Sequence, residues 1–196
     1  MNPLPPRSPF ARHFELDDDV VFLNHGSFGA CPSPVLRHQH ELRRELERQP
    51  VRFLARELEP RLDAARAALA QLLGADGDDV AFVPNATTGV NTVLRSLSFA
   101  PGDKLLTIDH EYNASRNALD FVAARSGATM VVAELPFPLR DAGEVTAAVL
   151  ASVTERTRLC LIDHVTSPTG LVLPIEAIVR ELHARGIDTL VDGAHA

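Results

Sequence analysis

From about residue 76 onward, short apolar runs alternate with longer stretches of helical character, and this alternation constrains the fold more than any other feature. Val80–Val83, Lys104–Ile108, Thr129–Leu135, Arg158–Ile162 and Thr189–Val191 each read as a strand. Between them Thr87–Leu97, Ala114–Arg125, Glu144–Val153 and Ile175–Arg185 read as helices, and Gly127 and Gly186 close the second and the last. Strands that are apolar almost throughout are those buried on both faces, and a helix between successive strands lets them run parallel. The expected fold class is therefore α/β, a mostly parallel sheet with helices on both faces.

The residues ahead of this alternation read differently. Residues 1–19 are proline-rich and form an N-terminal arm. Residues 20–75 form a helical segment, which opens with a strand candidate at Val20–Leu23 and a glycine-containing loop, Asn24–Gly29. A helix then runs from Pro34 to about Gln49 with Leu36, Leu42 and Leu46 on one side, and Pro50 interrupts it. Pro60 starts another helix, with Leu62, Ala65, Leu69, Leu72 and Leu73 at helical spacing and Gly74 just past its end. Residues 76–196 make the alternating α/β part.

Charge and cysteine usage narrow the function classes. Acidic residues outnumber basic ones 26 to 19, so no strongly basic field exists to hold nucleic acid. No apolar run reaches the roughly 18 residues of a membrane span, and no secretory signal opens the chain, so a soluble, cytoplasmic protein is expected. Cys31 and Cys160 do not make a disulfide framework; Cys160, inside Leu159–Ile162, reads as a small buried hydrophobe and Cys31 as a loop residue. His38 and His40 stand two apart on a helix and read as surface residues.

The chemistry gathers after the strands. In open α/β sheets the ligand crevice lies outside the carboxyl ends of the strands. Val80–Val83 leads into Pro84-Asn85-Ala86-Thr87-Thr88-Gly89, where the free N–H groups of a starting helix and two hydroxyls suit a phosphate; an ordinary cap by Asn85 or Thr87 accounts for the same residues. Lys104–Ile108 leads into Asp109-His110-Glu111-Tyr112-Asn113, whose tyrosine can stack on a planar ligand or cap the core. Arg158–Ile162 leads into the hydroxyl-rich Asp163-His164-Val165-Thr166-Ser167-Pro168-Thr169-Gly170. The last strand delivers Asp192, a carboxylate suited to a cationic ring nitrogen, with His195 three residues on. A metal-assisted hydrolase is an alternative, using Asp109-His110, Asp163-His164 and Asp192 with His195 as ligands, although no HxH or HExxH spacing supports it.

Taken in order, Asn85-Ala86-Thr87-Thr88-Gly89-Val90-Asn91, Asp109–Ala114, His164–Gly170 and Val191–Ala196 resemble the class V aminotransferases, fold-type I enzymes dependent on pyridoxal 5′-phosphate (PLP). Phe22–Gly29 and Pro50-Val51-Arg52-Phe53 are similar to the isopenicillin-N-epimerase-like branch. The resemblance runs from about residue 20 to the last residue and implies an amino-terminal portion of such an enzyme, with residues 76–196 as a partial PLP-binding large domain.

It implies roles as well. Ala86, Thr87 and Thr88 would hold the cofactor phosphate, and Tyr112 would stack on the pyridine ring where many relatives carry histidine. Ser167 and His195 would stand near the ring's phenolic oxygen, and Asp192 would pair with the pyridinium nitrogen. Asn24 and His25 would line the substrate side, or form a structural turn. The substrate would be an amino acid or another small amine, the chemistry transaminase, epimerase or lyase, and the full-length protein a homodimer. The family's Schiff-base lysine is expected downstream of Ala196. Of the 19 basic residues only Lys104 is a lysine, and it begins a strand, away from the strand ends that carry the motifs. The chain alone is therefore expected to be inactive, with no catalytic residue of its own. The competing class is a non-enzymatic protein, without the Schiff-base lysine, that binds a phosphate ligand or a partner.

Overall fold

The computed structural model describes residues 6–196, so the first five residues of the expected arm lie outside the described residues. The chain divides into two compact units, one ending at Phe82 and the other beginning at Val83.

In the first unit, Ala11–His13 forms a 3-10 turn and Arg7 pairs with Asp18. Four helices follow: α1 (His25–Phe28), α2 (Ser33–Arg48), α3 (Pro50–Arg52) and α4 (Leu58–Leu73). Val20–Leu23, expected as a strand, is not one. Its backbone has no ladder partner among the described residues, and Val20, Val21 and Leu23 are exposed. The glycine-containing segment after it, expected as a loop, is helical over His25–Phe28.

Pro50 does not end helical structure either. Helix resumes at once as α3 and passes through a π-helical turn, Phe53–Glu57, into α4. Pro60 lies in the first turn of α4, where its ring would collide with the Arg56 carbonyl of a regular helix; the wider π turn holds that carbonyl. Gly74 ends α4 in the left-handed conformation at φ 67°. The apolar stripe read along α4 is present but largely uncovered: Leu62, Leu72 and Leu73 are exposed, and the buried residue is Ala70.

The second unit is the alternating part. Its helices are α5 (Ala86–Ser96), α6 (Asn113–Ser126), α7 (Ala142–Ala151) and α8 (Ile175–His183). Its strands are β1 (Lys104–Ile108), β2 (Thr129–Ala133), β3 (Thr157–Asp163) and β4 (Asp188–Asp192). All pair in parallel, in the order β2-β1-β3-β4. The expected mostly parallel sheet is thus present. Val80–Val83, like Val20–Leu23, is not a strand: Val80 is extended, yet no strand of the described residues hydrogen-bonds to this run.

Alternation along the strands feeds two cores. Leu105, Leu159 and Leu161 pack with Val90 and Leu94 of α5 and with Leu119 and Val122 of α6. Leu106, Ile108, Cys160 and Ile162 pack with Val145 and Val149 of α7 and with Ile178 and Leu182 of α8. Helices therefore cover both faces, as the apolar strands require. Burial pushes the Cys160 thiol up to about 12, so it behaves as the hydrophobe expected, while Cys31 is exposed. Because every strand runs the same way, Ile108, Ala133, Asp163 and Asp192 all lie at one edge of the sheet. Lys104 begins β1 at the other, about 13 Å away along the strand.

Candidate functional site

The carboxyl edge is polar and closely wired. Asp192 ends β4 and is 5% exposed. The Ser115 hydroxyl, from the first turn of α6, donates to its Oδ2 at 2.8 Å, and the Ala194 N–H donates to Oδ1 at 3.1 Å. Among the described residues no arginine, lysine or histidine pairs with it. A buried carboxylate held only by neutral donors retains a strong preference for a cationic partner, so the donor set here fits a protonated ring nitrogen.

Beside Asp192 stand two more buried acids, Glu111 and Asp163, and one oxygen from each of the three lies within 4.8 Å of the others. Glu111 follows β1, and its Oε2 accepts the Asp163 N–H at 3.1 Å and the Thr107 hydroxyl at 3.4 Å. Asp163 Oδ2 in turn accepts the Tyr112 N–H at 3.1 Å. Burial, reinforced by the neighbouring Asp163 charge, pushes Glu111 up to about 9, and burial also raises Asp163 above the usual carboxylate range. No histidine joins this cluster among the described residues. His110 instead shares a 3.0 Å hydrogen bond with the Thr169 hydroxyl and lies against Phe137, while Asp109 Oδ1 accepts the Leu135 N–H.

Tyr112, Ser167 and His195 stand on the segments that follow β1, β3 and β4. Tyr112 sits at the N-cap of α6 with its backbone N–H held by Asp163, and the residue is 40% exposed. Ser167 is exposed in the loop after β3. That loop is ordered by Thr166, whose buried hydroxyl bonds the Thr169 hydroxyl at 2.8 Å and accepts the Leu171 N–H at 2.9 Å. Part of the hydroxyl content read as chemistry is therefore spent on folding the loop. His195 is half-buried three residues past Asp192.

Helix α5, which lies against β4, begins at Ala86. Asn85 is its cap: the side-chain oxygen accepts the Thr88 N–H at 2.8 Å and the Thr88 hydroxyl at 3.0 Å. The ordinary cap is thus present, and it leaves the Ala86 and Thr87 N–H groups without an intrahelical acceptor, so cap and anion site are compatible.

Asn24 and His25 belong to the first unit. Asn24 caps the one-turn α1, accepting the Phe28 N–H at 3.0 Å, and the His25 ring packs against Phe14 and edge-on to Phe22. These contacts are those of a structural turn.

Three contributors escape a reading of the sequence: Glu111, Ser115, and Asp163 in its role of holding Tyr112. The one available signal for Glu111 is its place directly after a strand; nothing in the sequence marks Ser115.

A parallel sheet with helices on both faces, a capped helix start and a buried carboxylate without a cationic partner at its carboxyl edge define an α/β protein of the open-sheet class. The class-V aminotransferase profile matches residues 30–196, and the chain belongs to that family. It is 43% identical over 182 residues to isopenicillin N epimerase of Streptomyces clavuligerus, and 34% identical over 203 residues to a probable chloroplastic L-cysteine desulfhydrase of Arabidopsis thaliana. These matches cover 92% and 96% of this chain but 46% and 42% of the relatives, so the chain spans rather less than half their length. Among solved structures, a lysine-to-alanine variant of C-DES, with glycine covalently linked to its PLP cofactor, matches at TM-score 0.85 and 26% identity. The match covers 95% of this chain and 50% of that one. The fold is accordingly that of the fold-type I aminotransferase-like proteins. Among the described residues no helix is long and apolar enough to cross a membrane.

Proposed function

We propose that this chain forms the PLP-binding wall of a class V enzyme acting on an amino acid or another small amine, by transaminase, epimerase or lyase chemistry. The observation that carries the reading is Asp192, a buried carboxylate with two neutral donors and no cation, at the carboxyl edge of a parallel sheet. Relatives named for isopenicillin N and L-cysteine support the substrate class.

In this reading the Ala86 and Thr87 N–H groups and the Thr87 and Thr88 hydroxyls hold the cofactor phosphate. Tyr112 stacks on the ring, Asp192 keeps the ring nitrogen protonated, and Ser167 and His195 serve its phenolic oxygen. Bound PLP supplies an electron sink for negative charge developing at the substrate α-carbon. Lys104, across the sheet from Asp192, takes no part. For the whole protein we extend the reading to a homodimer in the cytoplasm, on the family resemblance alone.

The test is a PLP titration followed by absorbance, with inorganic phosphate as competitor. Saturable binding relieved by phosphate is expected. Tyr112→Ala is expected to weaken it roughly 2- to 10-fold, the worth of about 0.5–1.5 kcal/mol of aromatic stacking, while Tyr112→Phe retains it. An unchanged affinity in Tyr112→Ala would remove the tyrosine from the site.

A further inference from the structure

The three buried acids at the sheet edge cannot all carry charge. Their oxygens lie within 4.8 Å of one another, and two of the acids end neighbouring strands while the third closes the turn after β1. The groups facing Glu111 are Asp163 from β3, Asp192 from β4 and the Thr107 hydroxyl from β1, with the Cys160 thiol buried nearby. None of the three acids has a cationic partner among the described residues. Like charges in such a pocket are relieved by a proton on one of them.

The hydrogen bonds identify which. Asp192 has donors on both oxygens, and Asp163 accepts the Tyr112 N–H. Glu111 differs: Oε2 accepts two bonds, but Oε1 is buried with no donor to accept from, in a residue only 4% exposed. An ionised oxygen would be costly there. A protonated carboxyl carries no charge to desolvate, and acceptor oxygens of Asp163 and Asp192 lie in the same 4.8 Å cluster.

We propose, resting on the PLP reading above, that Glu111 is a positioning residue that keeps its proton at neutral pH. It donates that O–H to Asp163 and leaves Asp192 as the open anion of the triad. The consequence is geometric. Glu111 Oε2 receives the Asp163 N–H, and Asp163 Oδ2 receives the Tyr112 N–H, so this reciprocal pair bolts the Tyr112 turn to the end of β3. The stacking residue and the anion are thereby fixed relative to each other.

Glu111→Gln preserves this role, because its amide can donate to Asp163 and accept the Asp163 N–H while holding no titrating proton. For wild type, the folded value near 9 stands above the ordinary 4.5, so the folded state binds the extra proton between those limits. Its stability contribution is fully present below the lower limit and is lost as pH rises through the upper. Urea unfolding of the full chain without PLP should show wild type losing stability relative to Glu111→Gln between these limits, by up to about tenfold in the folding equilibrium per pH unit. Parallel curves across that range would overturn the proposal. Infrared spectroscopy supplies a second readout: a protonated-carboxyl C=O band at pH 7 in wild type, absent from Glu111→Gln. Lack of that band in wild type would also overturn it. With PLP as probe, Glu111→Ala is expected to bind tenfold or more weakly, through about 1.4 kcal/mol or more of lost positioning, and Glu111→Gln to bind like wild type. Equal affinity of Glu111→Ala and wild type would remove the positioning role. Failure of wild type to bind PLP would instead sink the cofactor reading, which the first two measurements do not use.

Discussion

Asp192→Asn is expected to weaken PLP binding by roughly 100-fold or more while making the cofactor-free chain more stable. The two effects have one cause. In the free chain Asp192 is a buried anion beside Glu111 and Asp163, so its charge is a cost; with the cofactor bound, that charge has a pyridinium partner. Removing one member of a buried, hydrogen-bonded charge pair typically costs about 3–5 kcal/mol, which sets the expected loss. Asparagine keeps the local geometry, since its oxygen accepts the Ala194 N–H and its amide donates to the Ser115 hydroxyl, which can also accept. PLP titration and urea unfolding of the same preparation measure both signs. A variant that is less stable and binds PLP normally would show Asp192 to be a structural acid and nothing more.

Ile162→Ala is expected to destabilise the chain by about 2–5 kcal/mol, the largest stability effect of any single truncation considered, and Ile162→Val by about 0.5–1.5 kcal/mol. Ile162 lies in the interior strand β3, opposite Val191 of β4, and is fully buried among Leu106, Ile108, Ile178 and Leu182. A cavity at this position cannot collapse easily, because the sheet fixes one wall and α7 and α8 fix the other. The change should appear as a lower urea midpoint at an unchanged denaturant slope. A shift under about 1 kcal/mol for the alanine variant would contradict so tight a core.

Much of the sheet is legible in the sequence because a strand buried on both faces must be apolar throughout. Lys104–Ile108 forms β1 as read, and the runs at Thr157–Asp163 and Asp188–Asp192 differ from their expected bounds by a residue or so. The same pattern misleads at Val80–Val83 and Val20–Leu23, since apolar character suits a strand but only a hydrogen-bonded neighbour makes one. The α4 stripe is a related case: its periodicity is readable, whereas its cover depends on what packs against it.

The site divides along similar lines. Asp192 and Tyr112 are legible because each follows a strand, and parallel strands deliver their ends to one edge. Glu111 is not legible. Its burial and its proton depend on Asp163, 52 residues further along the chain, and it reads in the sequence as one polar residue in a polar turn. Ser115 reaches Asp192 across 77 residues for the same reason.

The central claim is that the carboxyl edge of this sheet binds PLP without help from Lys104. Its most direct test is to titrate the purified chain with PLP, reduce with borohydride and measure intact mass. The account predicts a saturable spectral change and no stoichiometric mass increase. A stoichiometric adduct mapped to Lys104 would contradict it, because that lysine would then have to reach the edge of the sheet opposite the one it occupies.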